Sequence, residues 1–154
     1  MKIDQAWLVK EGACGEARRR FNDVFNGKPT EHRAVLDALI KDDELSWASW
    51  LIIRVMAREQ CALLAQYASE CADSVVRQSD GHAAIAAAHL SARFATKSAE
   101  VSWLAVEYVT HAVLYAAKSA ELAVTSTDHI TARREMMCNV LIYGLGLLDA
   151  AEGK

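Results

Sequence analysis

Helix breakers are scarce in this sequence: it has one proline, Pro29, and seven glycines among 154 residues. Together with the lack of alternating β-branched runs, that excludes an all-β chain, which needs frequent Gly/Pro turns. A strong basic surplus is also missing. The formal net charge is −3 and the sequence pI is about 5.9, so the electrostatic footprint of a nucleic-acid binder is absent. The four cysteines, at 14, 61, 71 and 138, form no C-x-x-C pair. A chain of this size and apolar content needs no disulfide staples, so free thiols in a reducing compartment are expected. The most apolar stretch, 139–148, is about half the ~20 residues a membrane span requires. The opening Met1-Lys2-Ile3-Asp4-Gln5 lacks the apolar core of a signal peptide. A cytoplasmic protein is the expectation.

Alanine is what the sequence has in abundance. An apolar share of 53% and a charged share of 24% fit a folded domain and not a disordered chain. Alanine loses no side-chain entropy in a helix, so the composition points to helices. The expected fold is all-α: a single domain over 1–154, built as a compact bundle of about six to eight helices with an alanine-rich central pair.

Periodicity and capping residues place the elements. Residues 5–10 are apolar at Ala6, Trp7, Leu8 and Val9, and are too short to separate helix from strand. A helix over 14–25 carries Ala17, Phe21, Val24 and Phe25 on one side, and Gly27 and Pro29 end it. Thr30 is expected to cap a helix over 31–41, with Val35, Leu36, Leu39 and Ile40 at helical spacing. Asp42 or Asp43 is expected to cap the next, over 44–56, where Trp47, Trp50, Leu51 and Arg54 fall near one face. The stripe Cys61, Leu64, Ala65, Ala68, Cys71, Ala72 and Val75 marks a helix over 58–76. With no strong breaker at Ala57, it could be continuous with the preceding one.

Gln78-Ser79-Asp80-Gly81 reads as a turn with Asp80 as N-cap. Residues 82–124 are helical by composition and too long for one globular helix, with a break expected near 96–99. The part over 100–124 is apolar on nearly all sides, through Val101, Trp103, Leu104, Val106, Val109, Val113, Leu114 and Leu122, as a central helix would be. Alanines repeat at fours, as Ala84, Ala88, Ala92 and as Ala112, Ala116, Ala120, and such small-residue rows let helix backbones approach closely. Ser126-Thr127-Asp128 is the next turn and cap, and a last helix runs over 129–150.

Motifs for chemistry are missing. The five histidines, His32, His82, His89, His111 and His129, form no H-E-x-x-H or E-x-x-H set. His82/His89 and Glu107/His111 share helix faces, yet zinc needs three or four convergent ligands. Capping and core hydrogen bonds are the expected roles, with no metal and no cofactor. There is no G-x-S-x-G elbow and no phosphate-cradling glycine loop. Cys61 and Cys71 lie on apolar stripes, where a thiol is an inert small hydrophobe. Cys14, between Gly12 and Gly15 at a helix start, is where the helix dipole would lower a thiol pKa, although a packing role is the plainer reading. No catalytic residue is assigned, and no enzyme is expected.

The remaining candidates are surfaces. Asp42-Asp43-Glu44 reads as a helix cap and first turn, or as a contact for a basic partner. Trp47 and Trp50 read as core, or as binding hot spots. Arg18-Arg19-Arg20 is a solvated helix face, or docks an acidic partner. Met136, Met137, Val140 and Leu141 are core, or a homodimer seam.

One pattern resembles a known family. Leu8, Ala13-Cys14, Glu16 and Phe21, then Trp47, Trp50-Leu51 and Arg54, then Gln60-Cys61 leading into an alanine-rich half, are similar to small immunity proteins of phages and bacterial mobile elements. The match covers the first half by motif and the second by composition, from which Trp103, Tyr108 and Tyr115 depart. The resemblance implies an all-helical, non-enzymatic binder from a conflict system and brings no functional residues with it. The expected function is therefore inhibition by binding. The protein would occlude a toxin as an immunity protein, or a defence nuclease complex as an anti-CRISPR-like counter-defence protein. No direct nucleic-acid or membrane partner is expected. The alternatives are a small metal- or ligand-binding helical-bundle enzyme and a homo-oligomeric structural component.

Overall fold

Capping chemistry explains where the first elements begin and end. The computed structural model describes residues 1–77, 82–100, 105–124 and 128–153, and the backbone divides into two compact units, Met1–Val55 and Met56–Lys154. In the first unit, residues 5–10, undecided between helix and strand, form helix α1 (Gln5–Lys10). Asp4 supplies the reason: its carboxylate accepts the Trp7 N–H at 2.8 Å and satisfies one of the orphan donors of the first turn. α1 stops in a Schellman motif. Gly12 sits at φ +76°, its N–H donates to the Val9 carbonyl, and the Ala13 N–H donates to the Leu8 carbonyl. No atom crowds the position of a Cβ at Gly12, so only the backbone conformation demands glycine. Gly12→Ala is expected to lower stability by about 1–2 kcal/mol in urea unfolding, without altering the helical circular dichroism.

Helix α2 (Gly15–Phe25) closes through Asn26 and Gly27, both left-handed at φ 52° and 67°. Strand β1 (Lys2–Ile3) then pairs antiparallel with β2 (Thr30–Glu31). This two-stranded sheet was not expected; two-residue strands carry no periodicity to detect. It also corrects the role of Thr30, which does not cap the following helix α3 (His32–Lys41). Its hydroxyl donates to the Lys28 carbonyl at 2.9 Å, and Glu31 holds the cap position without a side-chain bond.

A second correction concerns the acidic run. Asp42 closes α3 instead of opening helix α4 (Leu45–Val55). Asp43 adopts φ +61°, its N–H donates to Ile40 O, and the Glu44 N–H donates to Leu39 O, which is a second Schellman motif with an aspartate at the position glycine usually fills. Ile3, Leu8, Phe21, Val35, Leu36, Leu51, Ile52 and Ile53 are all buried.

In the second unit, helix α5 (Arg58–Val76) is separate from α4. Ala57 is extended at ψ 159°, and its N–H donates to the Gln60 side chain at 2.7 Å. Helix α6 (His82–Glu100) runs through the break expected at 96–99. Thr96 lies within it, its hydroxyl bonding back to Ala92 O at 3.1 Å. The turns expected at 78–81 and 126–127 and the residues Val101, Trp103 and Leu104 lie outside the described residues. Helix α7 (Ala105–Ala123) packs on α5, α6 and the last helix, α8 (His129–Ala151), while α8 lies against α5 and α7. Asp128 stands ahead of α8 without a side-chain capping bond. Among the described residues the chain is thus eight helices and one two-residue-long ribbon, an all-α bundle as the composition required.

Small residues form the seams of α5, α6 and α7. Ala65, Ala68, Ala72, Ala84, Ala88, Ala112, Ala116, Ala117 and Ala120 are all buried. The Ser91 hydroxyl, also buried, donates to Ala112 O at 2.9 Å and bridges α6 to α7. Near the far end of α7, Glu121 accepts hydrogen bonds from Lys118 and from Arg133 of α8. The Lys118 bond, then the Arg133 bond, hold its carboxyl below the usual glutamate range. A carboxylate with a lowered folded-state pKa contributes stability that is complete above its unfolded value and fades as pH falls through the folded one. Glu121→Gln is expected to cost about 0.5–1 kcal/mol at neutral pH. That difference from wild type should close as the pH falls below the ordinary glutamate range, as read from urea midpoints across pH.

Candidate functional site

The residues of the first unit that carry the resemblance divide into three groups, one of which, Cys14 and Glu16, is exposed. Leu8, Ala13, Phe21 and Leu51 are buried and build the core. Trp50 and Arg54 stay half-buried at its edge. Helical spacing puts Arg54 one turn beyond Trp50, and the guanidinium lies 4.2 Å from the centre of the Trp50 ring. Nε of Arg54 donates to the Glu11 carbonyl and Nη1 to the Trp50 carbonyl, each at 3.3 Å. Partial burial pulls the Arg54 pKa down, and the Glu11 charge offsets part of that.

Trp7 completes the group edge-on to Trp50, with ring centres 6.2 Å apart and planes at 78°. The expected Trp50–Arg54 face is therefore present. In the sequence pattern Trp7 is only one apolar residue of a segment too short to assign, and its place beside Trp50 joins residues 43 apart in sequence. The i, i+4 pattern within α4 signalled Arg54; nothing local signalled Trp7.

The two charged runs meet. Arg20 Nη2 lies 2.6 Å from Asp42 Oδ2, both side chains being partly exposed, so the α2 run and the run ahead of α4 share one surface. Arg19 is exposed and Arg18 half-buried; Asp43 is exposed, Glu44 partly so, and Trp47 is half-buried on α4. Met136, Met137, Val140 and Leu141 are all buried within the second unit, so α8 spends that face on the core of the single chain. Its exposed large apolar side chains are Ile130 and Ile142.

The histidines and thiols do not converge. Among the described residues no three His, Cys, Asp or Glu side chains are grouped to hold a metal ion. His32 is buried with Nδ1 3.0 Å from the Met1 carbonyl, while His82, His89 and His129 are exposed. His111 donates from Nδ1 to the Glu107 backbone carbonyl at 2.9 Å, not to its carboxylate. Cys14 is the exposed N-cap of α2, its Sγ accepting the Ala17 N–H at 3.4 Å. Burial, with Glu59 nearby, pushes the Cys61 thiol up to about 11. Burial also raises Cys71, against a hydrogen bond with Tyr67. Titration with a disulfide reagent at about pH 8 is accordingly expected to consume Cys14 first and Cys61 only on unfolding, because the thiolate is the reactive form. Cys14→Ser should remove the fast phase.

No protein-family model, no curated protein and no solved structure matches this chain.

Proposed function

We propose that the protein is a non-enzymatic inhibitor that binds and occludes another protein, acting as an immunity protein or as a counter-defence protein that blocks a nuclease complex. The observation that carries this reading is the half-buried Trp7–Trp50–Arg54 group with Trp47 on the same helix. Tryptophan and arginine concentrate binding free energy at protein interfaces because they couple a large apolar area to a directional donor. A guanidinium already held by two carbonyls loses little side-chain entropy on docking. The Arg20–Asp42 pair and the exposed Arg19 and Asp43 would supply a polar rim. The similarity of the first half to small conflict-system immunity proteins points the same way.

Steering by net charge plays little part at this surface. Residues 1–55 carry nine Lys/Arg and nine Asp/Glu, so the acidic surplus lies in residues 56–154. Recognition then rests on shape and aromatic contact.

The test mixes the purified chain with toxin nucleases and CRISPR effector complexes of its host. Co-elution in size exclusion and loss of substrate cleavage are the expected results. Trp47→Ala combined with Arg19→Glu should weaken both at least tenfold with helical content unchanged. If no such component co-elutes or loses activity, the reading fails.

A further inference from the structure

The outer face of α6 differs chemically from the rest of the chain. His82, His89, Arg93 and Lys97 are all exposed along it, and residues 82–99 contain no aspartate or glutamate although the chain as a whole is acidic. At the Arg93–Lys97 end lies an open groove of about 430 Å³, lined by Leu90, Arg93, Phe94, Thr96, Lys97 and Tyr108. That is within the ~300–1,000 Å³ typical of small-molecule sites. Among the described residues Arg93 makes no ion pair.

The aromatic wall is held in place by α7. Tyr115 stacks on Phe94 at 5.5 Å with planes 7° apart, and His111 stacks on it at 4.9 Å. Tyr108 lies tilted at 6.0 Å. His111 is itself fixed by its bond to Glu107 O. Residues 108, 111 and 115 are spaced to share one helix face, so a single face of α7 braces Phe94 from the neighbouring helix. Rings packed against one another in this way have less conformational freedom to lose on binding.

We propose that this groove binds a small anion bearing a flat aromatic ring, with the ring against Phe94 and Tyr108 and the acidic group on Arg93 and Lys97. Arginine grips phosphate and carboxylate with the same planar fork, so both acid types fit the chemistry. The acidic remainder of the chain disfavours a long polyanion. The site lies wholly in the second unit and does not depend on the protein-binding reading of the first.

Isothermal titration calorimetry of the full chain tests it with four probes: adenosine 5′-monophosphate, indole-3-acetate, adenosine and inorganic phosphate. One or both aromatic anions are expected to bind at one site per chain, at least tenfold tighter than adenosine or phosphate. The stronger of the two identifies the acid as phosphate or carboxylate. Arg93→Ala with Lys97→Ala changes only exposed side chains and should cut affinity at least tenfold. Phe94→Leu keeps apolar bulk and should weaken the aromatic anions while leaving inorganic phosphate unchanged. If neither aromatic anion saturates below about millimolar, where binding falls to the level of nonspecific contact, or if the double variant binds like wild type, the proposal is overturned.

Discussion

Leu51→Ala is expected to destabilise the first unit by about 2–5 kcal/mol, from lost transfer free energy plus the cavity left behind. Leu51 is 2% exposed and sits between Trp50 and the buried Ile52 and Ile53 of α4. A unit of this size has few other large buried side chains, chiefly Ile3, Leu8, Phe21, Val35, Leu36 and Leu45, so little can close around the gap. Intrinsic tryptophan fluorescence is a suitable readout, because Trp7, Trp47 and Trp50 all belong to residues 1–55. The urea midpoint followed this way should fall steeply. A loss below about 1 kcal/mol would place Leu51 outside the effective core.

Ala116→Leu is expected to be comparably damaging for the opposite reason. Ala116 has no exposed surface and lies on the helix that touches α5, α6 and α8. Neighbouring Ala112, Ala117 and Ala120 are equally enclosed. Three added heavy atoms have no void to enter, so the helices must separate, at about 1–3 kcal/mol or more. Ala116→Gly tests the same position from the other side. It removes one methyl and weakens the helix by about 1 kcal/mol, so a leucine variant no worse than the glycine variant would show that the seam is loosely packed.

Where the sequence was readable, the signals were local. Alanine content and scarce breakers led to the all-α class, and helix-period stripes led to Leu36, Leu51, Leu64 and the buried alanines. Misreadings came where two local signals competed. Thr30 and Asp42 are both good N-cap residues on paper, yet Thr30 joined a ribbon with Lys2–Ile3 and Asp42 became the end of α3. Side-chain type favours a cap, but which backbone groups need one depends on where the preceding helix stops. The expected break within 96–99 failed for a similar reason: threonine and serine lower helix propensity only slightly, and burial of the other face of α6 outweighs that.

The candidate surface was partly legible. Trp50 and Arg54 could be placed together because one helical turn separates them, and the charged runs stood out by composition. Their pairing through Arg20 and Asp42 could not, since the contact joins residues 22 apart across two helices. Nor could the braced ring set of Phe94, Tyr108, His111 and Tyr115, which needs α6 and α7 side by side.

By itself, then, the order of side chains along the chain determined that it is helical, where most helices lie and which stripe of α5 turns inward, because backbone propensity and burial act over one or two turns; Val24, Val106, Leu114 and Leu122, apolar in pattern, stay exposed. Tertiary structure alone decided which faces meet. It set Trp7 against Trp50, put His111 against Phe94, and closed Met136, Met137, Val140 and Leu141 into the core, because such contacts depend on chain-distant surfaces whose fit no short window contains.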